Sequence, residues 1–336
     1  MNEDFLLSSY DYELPKELIA QHPANKRDHS RLLIFNKEDQ SITHDFFYNL
    51  CEYLPQDSCL VFNESKVFPS RVKGAKPSGG AVELFFLKLN VQDKTHEVLV
   101  KANSKKRIGD IFLVEVGQFE IISITDKGTF LVKSDIAIND FLNQFGEVPI
   151  PPYIRGGESC DADKLNYQTV YAKNIGSAAA PTAGLHFTSS LFEKLEDKKI
   201  QKSFVNLHVG LGTFKPVDTD DIRDFKIHSE YFFVDEANLK TITDNEKKIA
   251  VGTTSLRVLE SLESGFANYG ETNIFLYPGK KIKSVSGLVT NFHLPKSSLL
   301  MLVSSMIGRE KALEIYNVAV KEKYRFFSYG DAMLII

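Results

Sequence analysis

Tryptophan is absent from the 336 residues, and cysteine is scarce, present only as Cys51, Cys59 and Cys160. Three scattered thiols form no CxxC pair and no His–Cys ligand cluster. That excludes a disulfide framework and a zinc site, and it fits a reducing, cytoplasmic setting. Long apolar runs are missing too. The most apolar stretch, Leu299-Leu-Met-Leu-Val303, gives way to two serines and stops at Gly308. It is far shorter than the roughly 20 residues a bilayer span requires, so it reads as a buried helix and no membrane partner is expected. The acidic start, Met1-Asn-Glu-Asp4, has neither the basic nor the apolar region of a secretory signal. Neither sign of charge dominates: 40 Lys and Arg against 44 Asp and Glu leave a net charge of −4. A nucleic-acid partner would therefore have to be met by a local patch, such as 101–107, 280–283 or 321–325. No GxxxxGK[ST] or HExxH motif occurs. Gly210-Leu-Gly212 runs into Thr213-Phe-Lys-Pro216 instead of opening a helix, so the dinucleotide fingerprint fails.

What is present is a concentration of histidines. Four of the eight lie between 186 and 293. His186 and His208 each sit among glycines, threonines and bulky apolar residues, in Ala178-Ala-Ala-Pro-Thr-Ala-Gly-Leu-His-Phe-Thr188 and Leu207-His-Val-Gly-Leu-Gly-Thr-Phe214. Glycine lets backbone approach a ligand, and a histidine in an apolar wall carries protons near neutral pH. A lone histidine of this kind is more often structural. Four in similar settings favour a site without saying which one acts. His228 and Glu230, two apart, face the same way on a strand, as a proton-sharing pair or as a solvent-exposed ion pair. His293 follows in Thr290-Asn-Phe-His-Leu-Pro-Lys296. No ligand spacing repeats, so a metal site is unsupported. Lys248-Ile-Ala-Val-Gly-Thr-Thr-Ser-Leu-Arg-Val258 reads as strand, polar turn and helix. The helix start, with Thr253, Thr254, Ser255 and Arg257, suits an anion or carboxylate, or Thr254 is simply an N-cap.

The length points to two domains. Short alternating strands at 82–89, 96–102, 111–116, 119–125 and 129–133, separated by turn residues, predict a small antiparallel barrel. It is bounded by Pro69 and Pro77 on one side and by Pro149, Pro151 and Pro152 on the other. Elsewhere strands at 203–209, 230–234, 248–252, 273–277 and 331–336 alternate with helices at 190–197, 255–262, 295–307 and 310–323. This alternation predicts an α/β sheet covered by helices. Ser190 and Glu193 have capping-box spacing. The reading is a larger α/β domain, 1–66 and 150–336, with an inserted β-barrel domain at 67–149.

Several segments together resemble one family, the S-adenosylmethionine:tRNA ribosyltransferase-isomerases of queuosine biosynthesis. They are Tyr10-Asp-Tyr-Glu-Leu-Pro15, Asn63-Glu-Ser-Lys66, Pro151-Pro-Tyr-Ile154, Tyr167-Gln-Thr-Val-Tyr171, Gly176 to Thr188, Leu207 to Phe214, His228-Ser-Glu230, Gly252 to Arg257, Thr290 to Leu302 and Tyr324 to Met333. Ala178 stands where the family has Val, and Ser65-Lys66 where Thr-Arg is usual. The resemblance implies a larger mixed α/β, distorted barrel-like domain carrying an inserted small antiparallel β-barrel. It implies that the ribosyl part of S-adenosylmethionine moves to the aminomethyl group of a 7-deazaguanine base (preQ1) at the tRNA wobble position. Adenine and methionine leave, and epoxyqueuosine remains in the tRNA. S-adenosylmethionine would be consumed as a substrate with no further cofactor, by a cytoplasmic monomer. His186 is then expected as the base, with His208 or the His228/Glu230 pair in the other proton transfers. Thr182, Gly184, Gly210, Gly212, Thr253, Thr254, Ser255 and Arg257 would hold substrate. His293 and Lys296 would line the cleft or face the tRNA, and Tyr324, Phe326, Phe327 and Tyr329 are aromatic candidates for stacking a splayed base. Two rivals are a non-catalytic RNA-binding protein built on the barrel, and a methyltransferase, which the missing glycine loop disfavours.

Overall fold

The structure is a computed structural model that describes residues 2–126, 128–210 and 216–336. In chain order the strands are β1 (Arg31–Phe35), β2 (Ile42–Phe46), β3 (Cys59–Asn63), β4 (Ser65–Val67), β5 (Arg71–Ala75), β6 (Ala81–Asn90), β7 (Thr95–Ala102), β8 (Ile111–Leu113), β9 (Gln118–Ile124), β10 (Phe130–Lys133), β11 (Asn174–Ser177), β12 (Gln201–Leu207), β13 (Glu230–Phe233), β14 (Lys248–Val251), β15 (Tyr269–Thr272), β16 (Gly287–Asn291) and β17 (Ala332–Ile335). The helices are α1 (Ile138–Phe145), α2 (Asp163–Asn166), α3 (Ser189–Asp197), α4 (Glu236–Asp244), α5 (Thr253–Glu263), α6 (Ser298–Ile307) and α7 (Arg309–Lys321). Two compact units result: Met1–Ser65 with Gln168–Asn174 and Ala180–Ile336, and Lys66–Tyr167 with Ile175–Ala179.

The first unit is a nine-stranded mixed sheet in the order β15-β13-β12-β3-β14-β16-β17-β1-β2. Its centre, β12, β3, β14 and β16, is parallel throughout. Strands buried on both faces read as unbroken apolar runs. So it is with Cys59-Leu-Val-Phe-Asn63, where all five residues are buried, and with the core of Leu60, Phe62, Phe187, Leu191, Ile249, Val251 and Leu334. The apolar stretch at 299–303 forms α6, which buries Leu300, Met301, Leu302 and Val303. The second unit is a closed barrel in the order β10-β7-β6-β5-β8-β9, antiparallel at every pairing. Alternation fills it: Val82, Leu84 and Phe86 point inward from β6, Val98 and Val100 from β7, and Ile138, Phe141 and Leu142 of α1 pack on the same core.

Three expectations shift. Thr188, not Ser190, caps α3, accepting from Leu191 N–H. Gly252, with φ of 90° and ψ of 153°, precedes α5 as its N-cap, so Thr254 lies inside the helix and does not cap it; glycine suits this backbone because the positive φ is strained for any other residue. The strand expected at 273–277 is instead β15, Tyr269–Thr272, which pairs with β13. Strand β16 and helix α4 went unrecognised in the sequence. β16 is buried at all five positions and so shows no alternation, while α4 buries only Ile242 and so shows little apolar stripe.

Candidate functional site

Because β12, β3, β14 and β16 run parallel, their carboxyl ends meet at one edge of the sheet, which is where open α/β sheets place ligands. His208 follows β12, Glu64 follows β3, the Gly252–Thr254 turn follows β14, and Asn291 ends β16. β17 runs against β16, with Asn291 beside Ala332, and β1 runs with β17, with Leu32 beside Ala332. The starts of β17 and β1 therefore bring Asp331 and Ser30 to the same edge.

His186 ends the 3-10 turn Thr182–His186 and is 4% exposed. Thr182 Oγ1 donates to Asn291 Oδ1 at 2.9 Å, which turns the Asn291 amide so that Nδ2 donates to His186 Nε2 at 3.0 Å. The ring proton then sits on Nδ1, 2.8 Å from Ser30 Oγ. Both ring nitrogens are engaged, Phe47 packs at 4.9 Å, and burial pushes the imidazole down to about 3, with Arg325 adding to the effect. His186 is a neutral, fully bonded ring. Gly184 beside it is needed for packing, since a Cβ there would overlap the Tyr171 hydroxyl.

His208 is different. Asn63 clamps the residue before it: Leu207 N–H donates to Asn63 Oδ1 and Asn63 Nδ2 donates to Leu207 O, both at 3.1 Å. His208 N–H donates to Tyr231 O at 2.9 Å. The backbone is thus held on two sides, while the buried Nε2 has no hydrogen-bond partner among the described residues. Burial lowers its pKa below the ordinary histidine value. A buried ring nitrogen without a partner costs free energy, and here it lies at the sheet edge.

At Glu230, 3% exposed, several groups meet. His228 Nε2 lies 3.3 Å from Oε1, Gly210 N–H donates to the same oxygen at 3.0 Å, and Arg257 pairs with Oε2. The His228/Glu230 contact is therefore a buried network rather than a solvated ion pair. Arg257 also donates through Nε to Ile274 O at 3.1 Å and through Nη2 to Thr272 O at 3.4 Å, so its guanidinium is committed to the protein. A cavity of about 30 Å³ adjoins His228 and Arg257, walled by Ile227, Ile274 and Leu302. Gly212 lies outside the described residues.

At the α5 start, Ser255 Oγ donates back to Val251 O at 2.9 Å, as is usual for a serine inside a helix. Thr254 Oγ1 is buried without a partner among the described residues, and Thr253 is half-buried. His293 is buried, its Nε2 2.9 Å from Thr290 Oγ1, and burial pushes it down to about 3. Lys296 is 45% exposed and pairs with Asp11 Oδ2 at 2.6 Å. Tyr324, Phe326, Phe327 and Tyr329 are all buried, so the structure places the four stacking candidates in the core.

Several groups at the edge escaped the sequence reading. Glu64 is buried at 6% exposure, and its Oε1 accepts from Asn174 Nδ2 at 2.9 Å and Asn206 Nδ2 at 3.2 Å. Ser30, Asn291 and Asp331 complete the set; Asp331 takes Arg31 N–H at 3.0 Å and Arg325 N–H at 2.8 Å. The one local signal was Asn63-Glu64, a polar pair directly after an apolar strand. Among the described residues no group of three or more His, Cys, Asp or Glu is arranged to hold a metal ion, and no helix is long and apolar enough to cross a membrane.

His186 and His293, buried and neutral, make stability depend on pH. Between about 3 and 6.5 the unfolded chain takes up protons that folded His186 and His293 refuse, so stability rises with pH across that window and falls as pH drops through it. Each ring contributes a slope approaching 1.4 kcal/mol per pH unit. His293→Gln is expected to flatten the slope of unfolding free energy between pH 5 and 6.5 by close to one proton, measured by urea denaturation. An unchanged slope would refute the assignment.

A sequence family described as queuosine biosynthesis protein matches residues 7–335. Proteins named S-adenosylmethionine:tRNA ribosyltransferase-isomerase are 46% identical in Acetivibrio thermocellus, 46% in Carboxydothermus hydrogenoformans and 45% in a Thermoanaerobacter species, each alignment covering 98% of this chain and 99% of the relative. A crystal structure of an S-adenosylmethionine tRNA ribosyltransferase from Thermotoga maritima is 32% identical, with a TM-score of 0.56 over 98% of this chain and all of that one.

Proposed function

The chain belongs to the queuosine biosynthesis protein family and is an S-adenosylmethionine:tRNA ribosyltransferase-isomerase, and we propose that it carries out this reaction at the carboxyl edge of the nine-stranded sheet. S-adenosylmethionine and tRNA are its substrates. The acceptor is the aminomethyl group of a 7-deazaguanine at the wobble position, and the products are epoxyqueuosine in tRNA, adenine and methionine. The enzyme works as a cytoplasmic monomer.

The sulfonium acidifies the neighbouring C–H, so the first need is a base that is neutral at working pH and has an open lone pair. The supporting observation is the buried, unpartnered Nε2 of His208. His186 was the expected base, but both its nitrogens already serve Ser30 and Asn291, which suits it to shaping the wall and holding Thr182 and Asn291. His228, 3.3 Å from Glu230, gives or takes the second proton. Thr253, Thr254 and the backbone at Gly210 hold the methionine end. Glu64, for which no lysine or arginine partner occurs among the described residues, offers its carboxylate to a positive group of the substrate, since a buried carboxylate without a counter-ion is costly.

The test is incubation with S-adenosylmethionine labelled in turn in adenine, ribose and methyl, together with tRNA bearing the aminomethyl base. Release of adenine and methionine with ribose label entering the tRNA is expected. Methyl label in the tRNA would make the protein a methyltransferase, and tRNA binding without adenine release would make it a binding protein.

A further inference from the structure

The buried state of Tyr324, Phe326, Phe327 and Tyr329 leaves the question of what stacks on the RNA, and the exposed aromatic residues of the sheet unit answer it. Phe46 ends β2, the outermost strand of the sheet, and is 43% exposed. Its ring stacks on Tyr48 with centroids 5.5 Å apart and planes 5° from parallel. The exposed His29 ring meets Tyr48 from another side at 5.1 Å. Three rings thus form one surface ladder, at a position where a sheet edge more commonly carries charge to prevent unwanted pairing.

Beside this ladder lies an open basin of about 660 Å³, walled by His29 and Tyr48 together with Lys26, Arg27 and Lys194. That volume is of the size that holds a small ligand. Lys26 and Lys194 form no ion pair among the described residues; Lys194 donates only to Tyr48 O, at 3.2 Å. The one carboxylate on the wall, Asp28, accepts from Thr188 Oγ1 at 3.0 Å. Aromatic faces interleaved with cations are the chemistry of single-stranded nucleic-acid binding: the rings take bases of any sequence and the cations take the phosphates. The basin also adjoins the proposed reaction edge. The 3-10 turn Arg27–His29 runs directly into Ser30, whose hydroxyl bonds His186.

We propose that Phe46, Tyr48 and His29, with Lys26, Arg27 and Lys194, form a stacking subsite for an unpaired nucleotide flanking the modified base of the tRNA. This rests on the tRNA-modifying reading above and adds to it a place on this chain. A loop nucleotide presented to an enzyme is splayed from its neighbours. The ladder supplies the stacking partner that the neighbour loses.

The experiment compares wild type with Phe46→Ala, Tyr48→Ala, Phe46→Tyr and a Lys26→Gln/Lys194→Gln pair. It measures tRNA affinity against salt, S-adenosylmethionine affinity without tRNA, kcat at saturating tRNA, and melting temperature. Each alanine variant is expected to bind tRNA about ten- to a hundredfold more weakly, with S-adenosylmethionine affinity and kcat unchanged. Phe46→Tyr keeps a ring and is expected to bind tRNA as wild type does. The lysine pair is expected to reduce the slope of log affinity against log salt by about one to two. Wild-type melting together with tRNA affinity within twofold in both alanine variants would overturn the subsite while leaving the function standing, as would a loss in Phe46→Tyr as large as in Phe46→Ala. A wild-type protein that neither binds tRNA nor releases adenine would overturn both.

Discussion

Replacing His208 with glutamine is expected to lower turnover by a hundredfold or more, while S-adenosylmethionine binding and melting temperature stay near wild type. General-base removal costs on the order of 10²–10⁴ in rate. The side chain is half-buried, and among the described residues its Nε2 holds no hydrogen bond that could be broken. Its position comes from the backbone, through the Asn63 clamp on Leu207 and the Tyr231 carbonyl, neither of which the substitution touches. The contrasting variant is His186→Leu. It strips a donor from Ser30 and an acceptor from Asn291, two buried groups that would each be left unsatisfied at about 1–3 kcal/mol. That variant is therefore expected to lose stability first. Adenine release under single-turnover conditions, with melting followed in parallel, separates the two. Turnover within tenfold of wild type in His208→Gln would return the base to another residue.

Removing Arg257 is expected to have the largest effect on stability. Its guanidinium is buried, pairs with the buried Glu230 carboxylate, and bonds two carbonyls near the β13–β15 edge. Arg257→Leu takes the guanidinium away from the buried Glu230 carboxylate, and breaking such a pair from one side costs about 3–5 kcal/mol. At roughly 2–4 °C per kcal/mol for a unit of this size, melting should fall by about 6–20 °C. The double variant Arg257→Leu/Glu230→Leu removes both charges and is expected to recover part of that loss, because the penalty belongs to the buried carboxylate that has lost its cation more than to the missing attraction. A double variant less stable than the sum of the two single variants would contradict this. Because Glu230 also takes Gly210 N–H, the single variant should weaken S-adenosylmethionine binding as well.

The barrel strands were legible because their signal is local: Val82, Leu84 and Phe86 alternate within one strand, and the period alone turns them inward. β16 was not, because a strand covered on both faces has no polar side to alternate with. Arg257 shows the same limit at the level of function. Its place at a helix start suggested an anion site, and a carboxylate 27 residues away satisfied it instead. Phe46 and Tyr48 look no different in sequence from the tyrosines and phenylalanines of 324–329. Exposure separates them, and exposure depends on what the rest of the chain packs against.

The family, the reaction and the α/β-plus-barrel class were determined by the sequence itself, because they rest on contiguous segments and local periods. Which of His186 and His208 keeps a ring nitrogen without a partner among the described residues was decided only by the tertiary structure. His186 and His208 lie in similar glycine-rich surroundings, and nothing within either segment distinguishes them. Ser30 is 156 residues from His186 and Asn291 is 105. They reach the ring because parallel pairing brings distant strand ends to one edge, and they leave His208 as the ring whose nitrogen stays open.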